Sequence, residues 1–277
     1  MSDFRIYGES VPDLVPDNEG SPKLLRESRR LAASAGAAWI GQAWGLFTRR
    51  WGVWVGMSFV MLLITTVVSM LPLVGFLSNF LTLFFAGGMM LAAAALAEND
   101  DLEFVYLFGG FQHKFKELLI LTLLYFLVLL LVVFVFVVVM YLTGTNISDW
   151  DSEQPSVAAM AMYGWIILAG FAVLVPVSMM MWFATVLTVL DDVAPWQAMK
   201  MSFQGCVRNI LPFIVYGLVW LKIKMVVGLL AMGLVMLFDW VWLPLVVMSA
   251  LMILVVTPWT MLTVYTSYRA VWTEPKL

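Results

Sequence analysis

The sequence predicts an all-α, polytopic membrane protein with six transmembrane helices, and three observations carry that expectation. The 277 residues are 63% hydrophobic and only 12% charged, whereas a soluble domain is about half apolar and a quarter charged. The apolar residues are grouped into runs of roughly 20 or more, the length an α-helix needs to cross ~30 Å of hydrocarbon. Residues 118–142 are apolar without interruption, which is unlike the short alternating segments of a β-barrel.

Residues 1–22 hold three prolines, several acids and few large apolar side chains, too little burial to offset the entropy of ordering them. The chain divides into a cytoplasmic, largely disordered N-terminal tail over 1–38, a six-span membrane domain over 39–270, and a cytoplasmic C-terminal tail over 271–277. Spans are expected at about 53–71, 76–97, 118–142, 161–189, 210–237 and 242–268. No short apolar region follows Met1, so the first span is expected to act as the targeting signal. Outside the expected spans, Lys and Arg fall in the N-terminal region, the 98–117 and 190–209 loops and the C-terminal end (Arg269 and Lys276); the segments 72–75, 143–160 and 238–241 have neither. The positive-inside rule then places both termini in the cytoplasm. The long external loop carries Asp149, Asp151 and Glu153, with an Asn146-Ile147-Ser148 glycosylation pattern that matters only in a eukaryotic secretory pathway.

Three cytoplasmic segments share a design. Trp39, Ile40, Ala43, Trp44 and Phe47 precede Arg49 and Arg50; Leu102, Val105, Tyr106, Phe108 and Phe111 precede Lys114 and Lys116; Val193, Trp196, Met199 and Phe203 precede Arg208. Apolar residues at helical spacing followed by bases suit a helix lying in the membrane interface. Asp100-Asp101 matches Asp191-Asp192, Phe111-Gln112 matches Phe203-Gln204, and Leu118-Leu119 matches Ile210-Leu211, a period of 91 to 92 residues. The expectation is three pseudo-repeated units, each an interfacial helix plus a helical hairpin, about an axis along the membrane normal.

The stretch from Ala194 to Phe203, followed by Arg208-Asn209 and a new span, resembles the segment before the fifth helix of the YciC-like bacterial inner-membrane proteins. The 39–51 stretch resembles the segment before their first helix. The resemblance covers roughly 39–270. It implies a six-helix protein of the bacterial inner membrane and carries over no activity and no site residue; the acidic external loop and the proline-bearing tail stand outside its pattern.

Residues able to do chemistry are few. One cysteine, Cys206, and one histidine, His113, leave no metal-ligand spacing, and no nucleic-acid signature is present. Glu98, Asp100, Asp101 and Glu103, and Asp191-Asp192 at the matching place, are read as caps of the following helix rather than as a Mg²⁺ and lipid-phosphate site. His113 is read as a solvated interfacial residue, the 20 methionines as adaptable filler. Trp39, Trp44, Trp51, Trp54, Trp150, Trp240, Trp242 and Trp272 form an aromatic belt at the span ends. Gly87-Gly88 and Ala92 to Ala95 mark span two as a central helix, and Pro176, Pro244 and Pro258 are candidate kinks. No catalytic residue, cofactor or metal ligand is assigned. The candidate anion or lipid-headgroup residues are Lys222, Lys224 and Arg208. The two lysines lie inside a span and, being two apart, point about 200° from one another, so that at least one snorkels towards headgroups while the other either does the same or faces an internal anion site. The first functional reading is a non-enzymatic accessory or scaffold protein in contact with lipids or another integral membrane protein. The alternative is a transporter or channel for a small or amphiphilic anion.

Overall fold

A computed structural model describes residues 23–72, 75, 77–99, 102–142, 157–237 and 242–274. Most of those residues are helical, and among them a single isolated antiparallel bridge joins Leu24 to Thr273. In chain order the elements are α1 (Ala35–Arg49), α2 (Trp51–Ser69), α3 (Leu77–Asn99), a 3₁₀ turn (Phe104–Phe108), α4 (Gly109–His113), α5 (Phe115–Leu142), α6 (Val157–Trp182), α7 (Ala184–Leu190), α8 (Pro195–Arg208), α9 (Ile210–Leu237) and α10 (Trp242–Trp272).

Five of the described stretches are long and apolar enough to cross a membrane: Trp51–Ser69, Leu77–Glu98, Phe115–Tyr141, Gly164–Leu190 and Ile210–Leu230. They match the first five expected spans, and the sixth falls on α10. They sort into two layers. α3 is the buried centre, with Ala92, Ala93 and Leu96 fully enclosed. Its alanines and glycines let neighbouring backbones approach, which drives helix association where lipid offers no hydrophobic contrast. It packs against α7 and α10. The outer helices α5 and α9 are mostly exposed, with Leu127, Leu131 and Phe134 of α5 each more than 60% accessible, while α2 turns Trp54, Met57 and Met61 into the core. In water such a surface would be untenable, but facing lipid it costs nothing.

The three amphipathic segments do not spend their apolar faces on lipid. α1 buries Trp39, Ile40, Ala43 and Phe47 against α9 and α10; the 3₁₀ turn and α4 pack on α3; α8 packs on α6 and α7. Each therefore rests on the hairpin preceding its own, and the first rests on the last. Each also breaks into the following long helix at one residue with nearly the same backbone: Arg50 (φ −139°, ψ 43°), Lys114 (φ −129°, ψ 31°) and Asn209 (φ −120°, ψ 33°). These breaks set Lys114 opposite Asn209, one helical turn out of the register given by the sequence matches. The middle segment is not the single helix expected over 102–116. Gly88 and Gly110 bring it too close to α3 for that: a Cβ on Gly88 would stand 2.2 Å from the Leu107 carbonyl oxygen, and one on Gly110 2.2 Å from that of Phe84.

Other expectations are revised. Trp44 and Trp51 are exposed as belt residues should be, but Trp39, Trp54 and Trp272 are among the most buried side chains. Their rings fill gaps between helices; Trp39 packs edge-on against Phe213 at 5.2 Å. The α6–α7 break comes at Phe183 rather than Pro176, which sits inside α6. Residues 23–34, assigned to the tail, are held against the ends of α8 and α10, and α1 begins at Ala35. Residues 1–22, Asp100-Asp101 and the acidic loop with its glycosylation pattern lie outside the described residues.

Candidate functional site

Lys222 and Lys224 both stand on exposed flanks of α9. The helix is 28 residues long, and every window of about 20 residues within it, the length of a membrane crossing, contains both. Arg208 ends α8 and pairs with Glu27 at 3.2 Å, an exposed pair of the kind that contributes under about 1 kcal/mol. Lys222 is about 18 Å along the axis from Ile210, at ~1.5 Å per residue. The three candidates are thus not brought together, and α9 turns both lysines away from the inner helices.

What the fold does bring together is a polar network at one end of the inner helices. Arg269 on α10 donates through Nη1 to Glu98 of α3 at 3.0 Å and to the Tyr265 hydroxyl at 2.9 Å. The neighbouring Tyr268 hydroxyl donates to Asp191 at the end of α7 at 2.8 Å. Asp192 follows with a left-handed backbone (φ 56°) and takes the Lys114 ammonium at the α4–α5 break. Burial pushes the Asp191 carboxyl up to about 6; the Tyr268 hydrogen bond opposes this, Asp192 adds to it, and Arg269 opposes it. The described acids therefore do not cap helices as expected. Neither Glu103 before the 3₁₀ turn nor Ala194 before α8 makes a side-chain cap; instead Glu98 and Asp191 tie α3 and α7 to α10, and Asp192 ties the end of α7 to the start of α5.

Ser202 of α8 and Asn209 just after it complete the arrangement. Ser202 Oγ accepts the Phe183 N–H at 2.8 Å and donates to the Met179 carbonyl at 2.6 Å, occupying the gap where α6 gives way to α7. Asn209 donates through Nδ2 to the Arg29 and Gly205 carbonyls, each at 2.9 Å, and accepts the Leu31 N–H at 2.9 Å, fixing the 23–34 segment. The Cys206 thiol is pushed up to about 12 by burial, which leaves it unreactive as a nucleophile. Among the described residues no three His, Cys, Asp or Glu side chains gather as metal ligands.

The chain matches no protein-family profile, and no solved structure shows significant similarity to it. A stretch of 58 residues is 45% identical to a Burkholderia thailandensis protein named a probable inner membrane protein. That match covers 21% of this chain and 22% of the relative, so the chain spans about a fifth of the relative's length. With the apolar helices, it decides the general class. The chain is a helical membrane protein.

Sequence reasoning missed Ser202, Asn209, Tyr268 and Arg269 as connecting residues. Their signal was faint but present: a serine on the apolar face of an amphipathic helix, and an arginine with two tyrosines in the last turns of an otherwise apolar one.

Proposed function

We propose that this protein crosses the bacterial inner membrane six times, with both termini in the cytoplasm, and acts without catalysis by lateral contact with lipids or with another integral membrane protein. The sixth crossing is α10. The 31-residue length of that helix, the restriction of the Lys and Arg outside the spans to one set of loops and the bridge between Leu24 and Thr273 all support this topology. The three recurring breaks, and the docking of each amphipathic segment on the preceding hairpin, support an organisation in three units. The YciC-like resemblance fits the same picture. Topology is tested with single cysteines at Ser152 and Glu274 in a Cys206→Ala background: an impermeant thiol reagent on intact spheroplasts labels the first only, and labelling at Glu274 overturns it.

The carrying observation for lateral contact is where the apolar surface lies. α5 presents an uncharged, exposed face from Ile120 onward, while Ala92, Ala93, Leu96, Val186 and Leu187 close the junction of the inner helices at 2% exposure or less. A photo-crosslinker at Leu131 should capture lipid or a partner protein, and one at Leu187 should not. The alternative, conduction of a small or amphiphilic anion, draws its support from Lys222 and Lys224 within α9. Anion flux from reconstituted vesicles above that of protein-free vesicles, lost in Lys222→Leu or Lys224→Leu, would displace the contact reading.

A further inference from the structure

Where α1 crosses the ends of α3 and α10, the structure leaves a cavity of about 450 Å³ open to the surface, bordered by Gln42, Gly45 and Arg49 of α1, Ala97 of α3, and Tyr265 and Arg269 of α10. Small residues keep it open: a Cβ at Gly45 would meet nothing within 4 Å. Its inner edge is fastened, since Thr266 Oγ1 donates to the Trp39 carbonyl at 3.0 Å.

Two guanidinium groups from different helices line this cavity. Arg269 is held in place: Glu98 and the Tyr265 hydroxyl both engage Nη1, and the guanidinium lies 5.8 Å from the Tyr265 ring centre. Its Nε and Nη2 edge takes no described partner. Arg49, in the last turn of α1, is exposed and pairs with no described carboxylate. Among the described residues that border the cavity, Arg49 and Arg269 are the charged ones, and no carboxylate is among them. A planar guanidinium whose orientation is already fixed is suited to a phosphate, which takes two parallel N–H donors. The cavity also borders the point where α1 turns into the span α2, the level at which lipid headgroups stand.

We propose that this pocket binds the phosphate of an anionic phospholipid headgroup between Arg269 and Arg49, with Gln42 as a further polar wall. The inference rests on the lipid-contact reading above and gives that contact a place. Arg49 and Arg269 also complement the C-terminal ends of their helices, so the experiment has to separate binding from that structural role.

The test uses the full chain purified in neutral detergent, followed by native mass spectrometry and thermal unfolding. Added phosphatidylglycerol is retained and raises the melting temperature, whereas diacylglycerol with the same chains does neither. Arg49→Gln, chosen because Arg49 is exposed and leaves the Glu98–Arg269 pair intact, keeps the lipid-free melting temperature of the wild type and retains phosphatidylglycerol ten-fold less. Arg49→Lys retains an intermediate amount, and Lys222→Leu retains it as the wild type does. Equal retention by wild type and Arg49→Gln overturns the inference, as does a fall in lipid-free stability large enough to account for the loss. If inorganic phosphate alone raises the melting temperature as much as the lipid, a free anion is the ligand and the headgroup assignment fails. Photo-crosslinking of lipid at Leu131 is independent of Arg49, so failure at this pocket is distinguishable from failure of lateral contact.

Discussion

Ser202 offers the sharpest test of how the helices are held. An uninterrupted helix would bond the Phe183 N–H to the Met179 carbonyl, and here one hydroxyl from α8 stands between them, with bonds of 2.8 and 2.6 Å. Ser202 and Phe183 are both fully buried. Ser202→Ala strands one donor and one acceptor away from water, and a buried polar group without its partner costs about 1–3 kcal/mol. Cys206 Sγ, 3.5 Å from the Met179 oxygen, is a weak replacement for one of the two. The expected loss is about 2–4 kcal/mol, read from reversible SDS-induced unfolding in mixed micelles. Thr122→Val is the control. The Thr122 hydroxyl is also buried but bonds only the Leu118 carbonyl of its own helix, at 2.7 Å, and its removal should cost less than about 1 kcal/mol. A loss at Ser202 no larger than the control's would refute the reasoning. It would mean that the ladder closes once the hydroxyl is gone, and that the break has another cause.

Three further outcomes follow from the geometry. Gly88→Ala should destabilise by at least about 1–3 kcal/mol, because the new Cβ meets backbone oxygens of Leu107 and Tyr106 at 2.2 and 2.6 Å; Gly217→Ala, with nothing within 4 Å, should be neutral or gain up to about 1 kcal/mol in the same assay. Asp191 holds its proton more tightly folded than unfolded, so it favours folding at low pH, and that contribution is lost as pH rises from the ordinary 3.8 to about 6. Asp191→Asn should therefore be more stable than the wild type at pH 8, by up to about 2–3 kcal/mol, and the difference should vanish by about pH 4; a constant difference across that range would contradict the assignment. Asn209→Ala releases three hydrogen bonds, two of them to Arg29 and Leu31 of the 23–34 segment and one to Gly205, and trypsin should cut at Arg26, Arg29 and Arg30 roughly ten-fold faster, without loss of the protein from membranes.

The sequence is most legible where lipid dictates the answer. The bounds of α9 follow from 210–237 being apolar between a basic loop and an acidic residue, and the central place of α3 follows from its glycines and alanines. It is least legible where one apolar surface has two apolar destinations. Trp39 and Trp54 sit at span ends, where a ring satisfied by headgroups and a ring satisfied by another helix leave the same trace. An amphipathic helix likewise shows which face is apolar but not whether lipid or protein covers it, and for α1 and α8 the answer was protein. The Phe183 break was invisible locally, because its cause, Ser202, lies in another helix. Glu98, Asp191 and Asp192 sit where caps are expected, yet their partners on α10 and at Lys114 are set by the packing of helices remote in sequence. The side-chain matches and the backbone breaks at Lys114 and Asn209 give registers one turn apart for a related reason: the matches track composition, whereas the breaks follow the backbone.

On the three-unit reading, the contacts are heaviest where the chain itself gives no help. The first unit is joined to the second, and the second to the third, by short connections, but the third meets the first only after the whole chain has been traversed. Closing so long a loop carries the largest entropic cost of any contact in the fold. That junction is also the most densely bonded. Trp259 Nε1 donates to the Ile40 carbonyl at 3.1 Å and Thr266 to that of Trp39 at 3.0 Å; Arg269 reaches Glu98; and the backbone N–H groups of Leu25 and Arg29 reach the carbonyls of Trp272 and Val271 at 2.9 and 2.8 Å. Gly36 lies so close to α9 that a Cβ there would stand 2.0 Å from the Pro212 oxygen. Of the three break residues, it is the one nearest this junction, Asn209, that is a buried amide, where the others are basic. Its side chain is spent on the N-terminal segment, so one residue both ends α8 and ties the two ends of the chain together.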